Sequence, residues 1–186
     1  MCGRFLFSTE PNCPEVQRFC TLAEKRFAGD QWSRGEVMPG MRFPVLVRGE
    51  EKASLELMTW GYDMNGRVLV NARSESITEK PMFSSDFSAR RCAILTTGFF
   101  EWGKDEERTK FLFTGKTNVL YLAGIYNHAG QFVILTTEAN SSVRAIHHRM
   151  PVILSGGSVI PWLGNSAYAQ DMLKGEMPLL MAEPVK

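Results

Sequence analysis

The sequence predicts an α+β fold made mainly of antiparallel sheet, and three observations lead there. Short runs rich in β-branched and aromatic residues recur through the middle of the chain. Turn signals separate them, and no strand–helix–strand alternation marks a parallel sheet. Packed sheets or a partly closed barrel, with a few peripheral helices, would suit so many short strands. No repeat, linker or low-complexity run interrupts the 186 residues, so residues 1–186 read as a single domain.

Taken in order, Arg4–Ser8 reads as a short strand. Asn12 offers an N-cap to a helix in which Val16, Phe19, Cys20, Ala23 and Phe27 recur at helical spacing, placing Cys20 on a buried face. Gly29–Gly40 reads as a polar loop carrying Trp32. Strands are expected at Pro44–Arg48, Ser54–Trp60 and Arg67–Asn71, with Asn65-Gly66 as a tight-turn signal before the last. Further strands are expected at Arg91–Thr96, Phe99–Trp102, Lys110–Thr114, Val119–Tyr126 and Gln131–Thr136. A helix over Asn140–His147, a strand over Pro151–Leu154 and a short helix over Ser166–Leu173 complete the reading.

Composition narrows the function. At 44% hydrophobic and 22% charged residues, the chain is that of an ordinary soluble globular protein. No run is apolar and long enough to span a bilayer, and the N-terminus lacks the pattern of a secretory signal, so no membrane partner is expected and the expected compartment is the cytoplasm. The four cysteines form no CxxC pair and share no zinc spacing with the three histidines, so thiols are expected rather than disulfides, and no metal or cofactor. A net charge of +1 argues against a broadly basic coat for nucleic acid but leaves room for a local basic groove.

Four segments carry residues able to do chemistry. In Met1-Cys2-Gly3-Arg4, removal of the initiator methionine would leave Cys2 with a free α-amine beside its thiol. Both groups titrate within about two units of neutral pH, so both keep nucleophilic fractions. Such a 1,2-aminothiol reacts with an aldehyde in two steps, an imine and then closure to a five-membered thiazolidine. Gly3 permits close backbone approach, and Arg4 can hold an anion. In Val70-Asn71-Ala72-Arg73-Ser74-Glu75, a polar run follows an apolar strand; Asn71 can orient a polar group and Arg73 can bind phosphate. Gly98-Phe99-Phe100-Glu101-Trp102 sets a carboxylate among aromatics, a setting for a proton shuttle. In Ile146-His147-His148-Arg149-Met150-Pro151, Pro151 ends a helix and leaves His147 for proton transfer and Arg149 for phosphate.

Each segment also has a plain structural reading: an incidental terminal cysteine, a capped turn, a solvent-facing glutamate, and histidines at a helix C-terminus. Adjacent histidines do not share a helix face, which argues against a two-histidine metal site. Cys13, Cys20 and Cys92 lie on or beside apolar patterns and read as structural. Trp32, Trp60 and Trp102 suit either base stacking or the core.

Together the segments resemble the SRAP family, the SOS response-associated peptidases that include abasic-site shield proteins. The resemblance runs in order through Cys2-Gly3-Arg4, Pro39, Trp60-Gly61, Asn71-Ala72-Arg73-Ser74-Glu75, Arg91-Cys92, Gly98-Phe99-Phe100-Glu101-Trp102, Ala123-Gly124, Thr136-Thr137, Ala139-Asn140, His147 and Arg149-Met150-Pro151. It implies an SRAP-like fold with a positively charged groove for single-stranded DNA and a role in the DNA damage or SOS response. It also implies roles for residues. Cys2 would form the crosslink to an abasic site, Asn71 would position the N-terminus and the opened sugar, and Glu101 would move protons during imine formation and ring closure. His147 would protonate the sugar oxygen, while Arg4, Arg73 and Arg149 would hold flanking phosphates.

The chain departs from the family pattern at Tyr62-Asp63-Met64-Asn65-Gly66, a short turn where an apolar, proline-containing stretch is usual, and at His148, where an acidic residue is usual. The implied partner is single-stranded DNA bearing abasic sites, met by a monomer, with lyase and autoproteolytic side activities. Two other classes of function fit the same residues: a thiol peptidase built on Cys2, His147 and Glu101, and a non-covalent single-stranded DNA-binding module.

Overall fold

A computed structural model describes residues 2–10, 13–50 and 52–185. Strand β1 (Arg4–Phe7) leads to helix α1 (Pro14–Arg26), whose Val16, Phe19 and Ala23 face the core. Cys20 is half-buried against that core, not enclosed by it. The N-cap expected at Asn12 lies outside the described residues; Pro14 opens the helix, where its missing N–H costs nothing. The loop expected over Gly29–Gly40 contains β2 (Gly35–Val37), paired to β1, a strand too short to stand out from its polar surroundings.

Strands β3 (Arg42–Val47) and β4 (Ser54–Trp60) come close to expectation. The hairpin of β5 (Tyr62–Met64) and β6 (Arg67–Leu69) turns through Asn65 and Gly66 at φ 54° and 86°, the pair of left-handed residues that a type I′ turn requires. The single strand expected over Arg67–Asn71 is broken at Val70. Its carbonyl accepts from Trp60 Nε1 at 3.0 Å and from the Ile134 N–H at 3.2 Å, and β7 (Asn71–Arg73) then pairs elsewhere.

Helix α2 (Pro81–Ala89) shows no clear apolar stripe in its sequence and was not expected. Strands β8 (Arg91–Thr96), β9 (Gly98–Trp102), β10 (Lys110–Thr114), β11 (Leu120–Tyr126) and β12 (Gln131–Glu138) agree with expectation to within two residues. Helix α3 (Ser141–Arg144) is one turn capped by Asn140, shorter than the span to His147, because Pro151 and the strand before it claim the following backbone. The rest is β13 (Arg149–Pro151), β14 (Ile153–Leu154), α4 (Val159–Gly164), α5 (Ser166–Met172) and β15 (Met181–Val185).

One sheet runs β15-β10-β9-β1-β2, and every pairing in it is antiparallel. The other runs β13-β12-β4-β3-β8-β11-β14, and a further pairing of β12 with β11 closes β12-β4-β3-β8-β11 into a ring. This is the partly closed barrel expected from the number of short strands. β12 is its seam. Its first residues pair with β4 and its later ones with β7, both in parallel, while β11 and then β13 lie antiparallel along its other edge.

Alternation along these strands makes two cores. Ile94, Leu122, Phe132 and Ile134 face Phe5, Phe7, Phe43, Trp60 and Phe99. Ala93, Ala123, Val133 and Leu135 face the other way, beneath Phe83, Phe87 and Trp162 from α2 and α4. β8 is therefore buried along its whole length, as its nearly continuous apolar sequence demands. Arg91 is the buried exception, and its guanidinium donates to the carbonyls of Phe87 (2.6 Å) and Trp162 (2.6 Å) at two helix ends. No described helix is long and apolar enough to cross a membrane.

Candidate active site

The site lies where β1 and β9 of one sheet meet β7, β12 and β13 of the other. Cys2, just before β1, is fully buried, and its Sγ is 3.8 Å from the carbonyl of Arg4. Burial pushes its thiol well above the ordinary range, and the nearby Glu101 carboxylate pushes it further. A thiol in this setting is held protonated.

Asn71 opens β7, which the parallel pairing Ile134–Asn71 sets at the seam strand. Its Nδ2 donates to the carbonyl of Cys2 at 2.9 Å, tying the two sheets together at the N-terminus. Its Oδ1 is buried and lacks a hydrogen-bond partner among the described residues. A buried acceptor left open costs about 1–3 kcal/mol, and in a site it suggests a group awaiting a donor.

Glu101 lies on β9, only 4% exposed, so the solvent-facing alternative does not hold. Antiparallel register sets Arg4 opposite Phe100, and one step further brings Gly3 beside Glu101. His147, in the turn before β13, has its Nδ1 3.9 Å from Glu101 Oε1. The N–H of Arg149 lies 3.0 Å from the same Nδ1, placed to donate to it in the tautomer that carries its proton on Nε2. The Arg149 carbonyl, 3.1 Å away, is placed to accept from Nδ1 whenever that nitrogen carries a proton.

The three arginines differ. Arg4 pairs with Glu36 at 2.6 Å and lies over the Trp102 ring, its guanidinium carbon 5.2 Å from the centroid. Glu36 also receives Lys110 at 2.6 Å. Burial would raise the Glu36 carboxyl, but these two cations outweigh it and hold it below its ordinary value. Arg73 is exposed and makes no ion pair among the described residues. Arg149 is buried. Its two Nη atoms reach Glu75 at 2.7 and 2.9 Å, one of them also reaches the Thr136 carbonyl at 2.6 Å, and its Nε has no partner among the described residues.

Cys2, Asn71, Glu101 and His147 thus converge, with Arg4 and Arg149 at their edges. Sequence reasoning missed the carboxylates that hold the arginines, Glu36 and Glu75. Glu75 was visible in its motif, but nothing in the sequence couples it to a residue 74 positions away. Of the tryptophans, Trp60 is fully buried in the core, Trp32 packs on Phe7 and Phe43, and Trp102 remains half-buried between cations.

The family model described as SOS response associated peptidase (SRAP) matches residues 1–185. The abasic site processing protein YoaM of Bacillus subtilis is 30% identical over 193 residues, covering 94% of this chain and 84% of its own length. YedK of Escherichia coli, also named an abasic site processing protein, is 28% identical over 180 residues, covering 88% of this chain and 79% of its own. In structure, a phage-related protein from Bordetella bronchiseptica superposes with a TM-score of 0.74 at 22% identity, covering all (100%) of this chain and 94% of its own, which shows a shared fold.

Proposed function

Because the chain belongs to the SOS response associated peptidase (SRAP) family, we propose that it processes abasic sites in DNA, and that it does so by bonding covalently to the lesion through Cys2. The relatives named as abasic site processing proteins support the target. The observation that carries the chemistry is the convergence on Cys2: the Asn71 amide on its carbonyl at 2.9 Å, the buried Glu101 beside it, and His147 3.9 Å from Glu101.

In this reading Met1 is removed, which frees the α-amine of Cys2. The abasic sugar opens when its C1′ hydroxyl passes a proton to the Glu101 carboxylate, the C1′–O4′ bond breaks and O4′ gains a proton from the His147 ring. The amine adds to the C1′ aldehyde, and water leaves as the imine forms, with Glu101 supplying the proton to the departing hydroxyl. The thiol then adds across the C=N bond. Sulfur bonds to C1′, its proton passes through Glu101 to nitrogen, and a thiazolidine closes with one water lost overall. The high thiol value suits this order, because the amine attacks first and the thiol needs only a proton acceptor at the second step. A thiol peptidase would need a thiolate from the start, which burial opposes. Asn71 positions the N-terminus through its hydrogen bond to the Cys2 carbonyl. Arg4 and Arg73 bind phosphates, while Arg149, paired with Glu75 through both Nη atoms, braces the site from behind.

The same imine permits β-elimination, a lyase side reaction. The target is single-stranded, since C1′ must be reachable without a paired strand. The chain acts as a single-domain monomer, in the cytoplasm and on damaged DNA. The test is to mix processed protein with a single-stranded oligonucleotide bearing one abasic site and run a denaturing gel. A heat-resistant adduct is expected from wild type and none from Cys2→Ala. No adduct from wild type, or an equal one from Cys2→Ala, overturns the covalent reading.

A further inference from the structure

A cavity of about 400 Å³ beside His147 is lined by Arg73, Glu138, Arg144, His148 and Arg149. The sheet assembles it: Arg73 lies opposite Thr136 and Arg149 opposite Glu138, on the two edges of β12, while the turn after α3 brings Arg144 and His148 over them. The His148 ring lies on the His147 ring, with centroids 4.4 Å apart, so the cavity begins one ring away from the proposed proton donor. Arg149 is neutralised by its bidentate pair with Glu75. Among the described residues the guanidinium of Arg73 makes no hydrogen bond or ion pair, and Arg144 engages only its Nε, on the carbonyl of Ala139 at 3.0 Å. Glu138 offsets one of these two charges. The surplus matches the single charge of an internal phosphodiester, and an arginine with free Nη atoms is suited to bind it through paired hydrogen bonds.

We propose that Arg144 and His148, with Arg73, form a subsite for one backbone phosphate of the strand that carries the lesion, next to the nucleotide held at His147. The subsite rests on the reading that abasic single-stranded DNA is the substrate, and adds Arg144 and His148 to the residues that hold it. Arg144 supplies charge and paired donors. His148 supplies one ring N–H and, through its tilted ring contact, packs against the His147 ring.

The test is equilibrium binding, by fluorescence anisotropy at several salt concentrations, to a single strand carrying a tetrahydrofuran lesion that has no aldehyde and cannot crosslink. Arg144→Gln is expected to weaken binding about 5- to 10-fold and to reduce the salt slope by about 0.7, the share of one single-strand phosphate. Arg144→Lys should keep the slope, His148→Asn should weaken binding about 2- to 5-fold, and Arg26→Gln, in a distant exposed pair, should change nothing. An uncharged methylphosphonate at the linkage beside the lesion should weaken wild type more than it weakens Arg144→Gln, which keeps Arg73 and His148 on that phosphate. If wild type binds or crosslinks the lesion strand while Arg144→Gln matches it in affinity, slope and methylphosphonate response, the subsite is wrong and the proposed function stands. If wild type neither binds the tetrahydrofuran strand nor crosslinks the abasic strand, both fall.

Discussion

Replacing Glu75 by Gln tests whether the buried Arg149 depends on its partner. Two charge-assisted hydrogen bonds of 2.7 and 2.9 Å join the pair; the Arg149 side chain is 9% exposed and that of Glu75 is 47%. Glutamine keeps the shape, but it removes the charge and turns one acceptor into a donor facing a donor. Hydrogen bonds to charged groups contribute about 1.5–3 kcal/mol, and the half-exposed Glu75 places this pair towards the low end. Arg149 also keeps the Thr136 carbonyl at 2.6 Å. The expected loss is about 2 kcal/mol, or about 4–8 °C in Tm for a chain of this size. Glu56→Gln, which breaks an ion pair with Arg26 exposed on both sides (48% and 45%), should cost less than about 0.5 kcal/mol.

The gap should also depend on pH. Burial favours the protonated Glu75, but the hydrogen bonds and charge of Arg149 outweigh it and hold the carboxyl below its ordinary value of 4.5. The contribution of Glu75 is therefore complete above that value and is lost as pH falls through the lower value of the folded state. Glutamine does not titrate, so the difference between wild type and Glu75→Gln should be full at neutral pH and close in acid. Urea unfolding across this range measures it. A gap under about 0.5 kcal/mol at neutral pH, or one that persists unchanged in acid, would refute the reasoning.

Asn71→Ala should separate activity from stability. It removes the bond to the Cys2 carbonyl but also the buried, open Oδ1, so stability should change by under about 1 kcal/mol while adduct formation slows on the order of 100-fold; a gel time course with wild-type rate would contradict this. Gly124→Ala should destabilise by about 1–3 kcal/mol, read in urea, because a Cβ there would meet Ile94 Cδ1 at 2.8 Å and the Val133 carbonyl at 2.9 Å within the ring of strands. Timed alkylation of the folded chain, followed by mass spectrometry, should modify the half-buried Cys13 and Cys20 well before the buried Cys2 and Cys92; early labelling of Cys2 would contradict its enclosure.

Much of this protein was legible because its signals are local. Alternating apolar residues and the Asn65-Gly66 turn located most strands, β8 among them. Cys2, Asn71, Glu101 and His147 stood out because their residue types match a single chemistry. What only the tertiary structure decided is which charges meet. Arg4 meets Glu36 and Arg149 meets Glu75, at separations of 32 and 74 residues, because sheet register, not sequence distance, sets who is opposite whom. The same holds for β2, α4 and β15. Each takes its form from the neighbour it covers or pairs with, since so short a segment buries too little by itself to be stable.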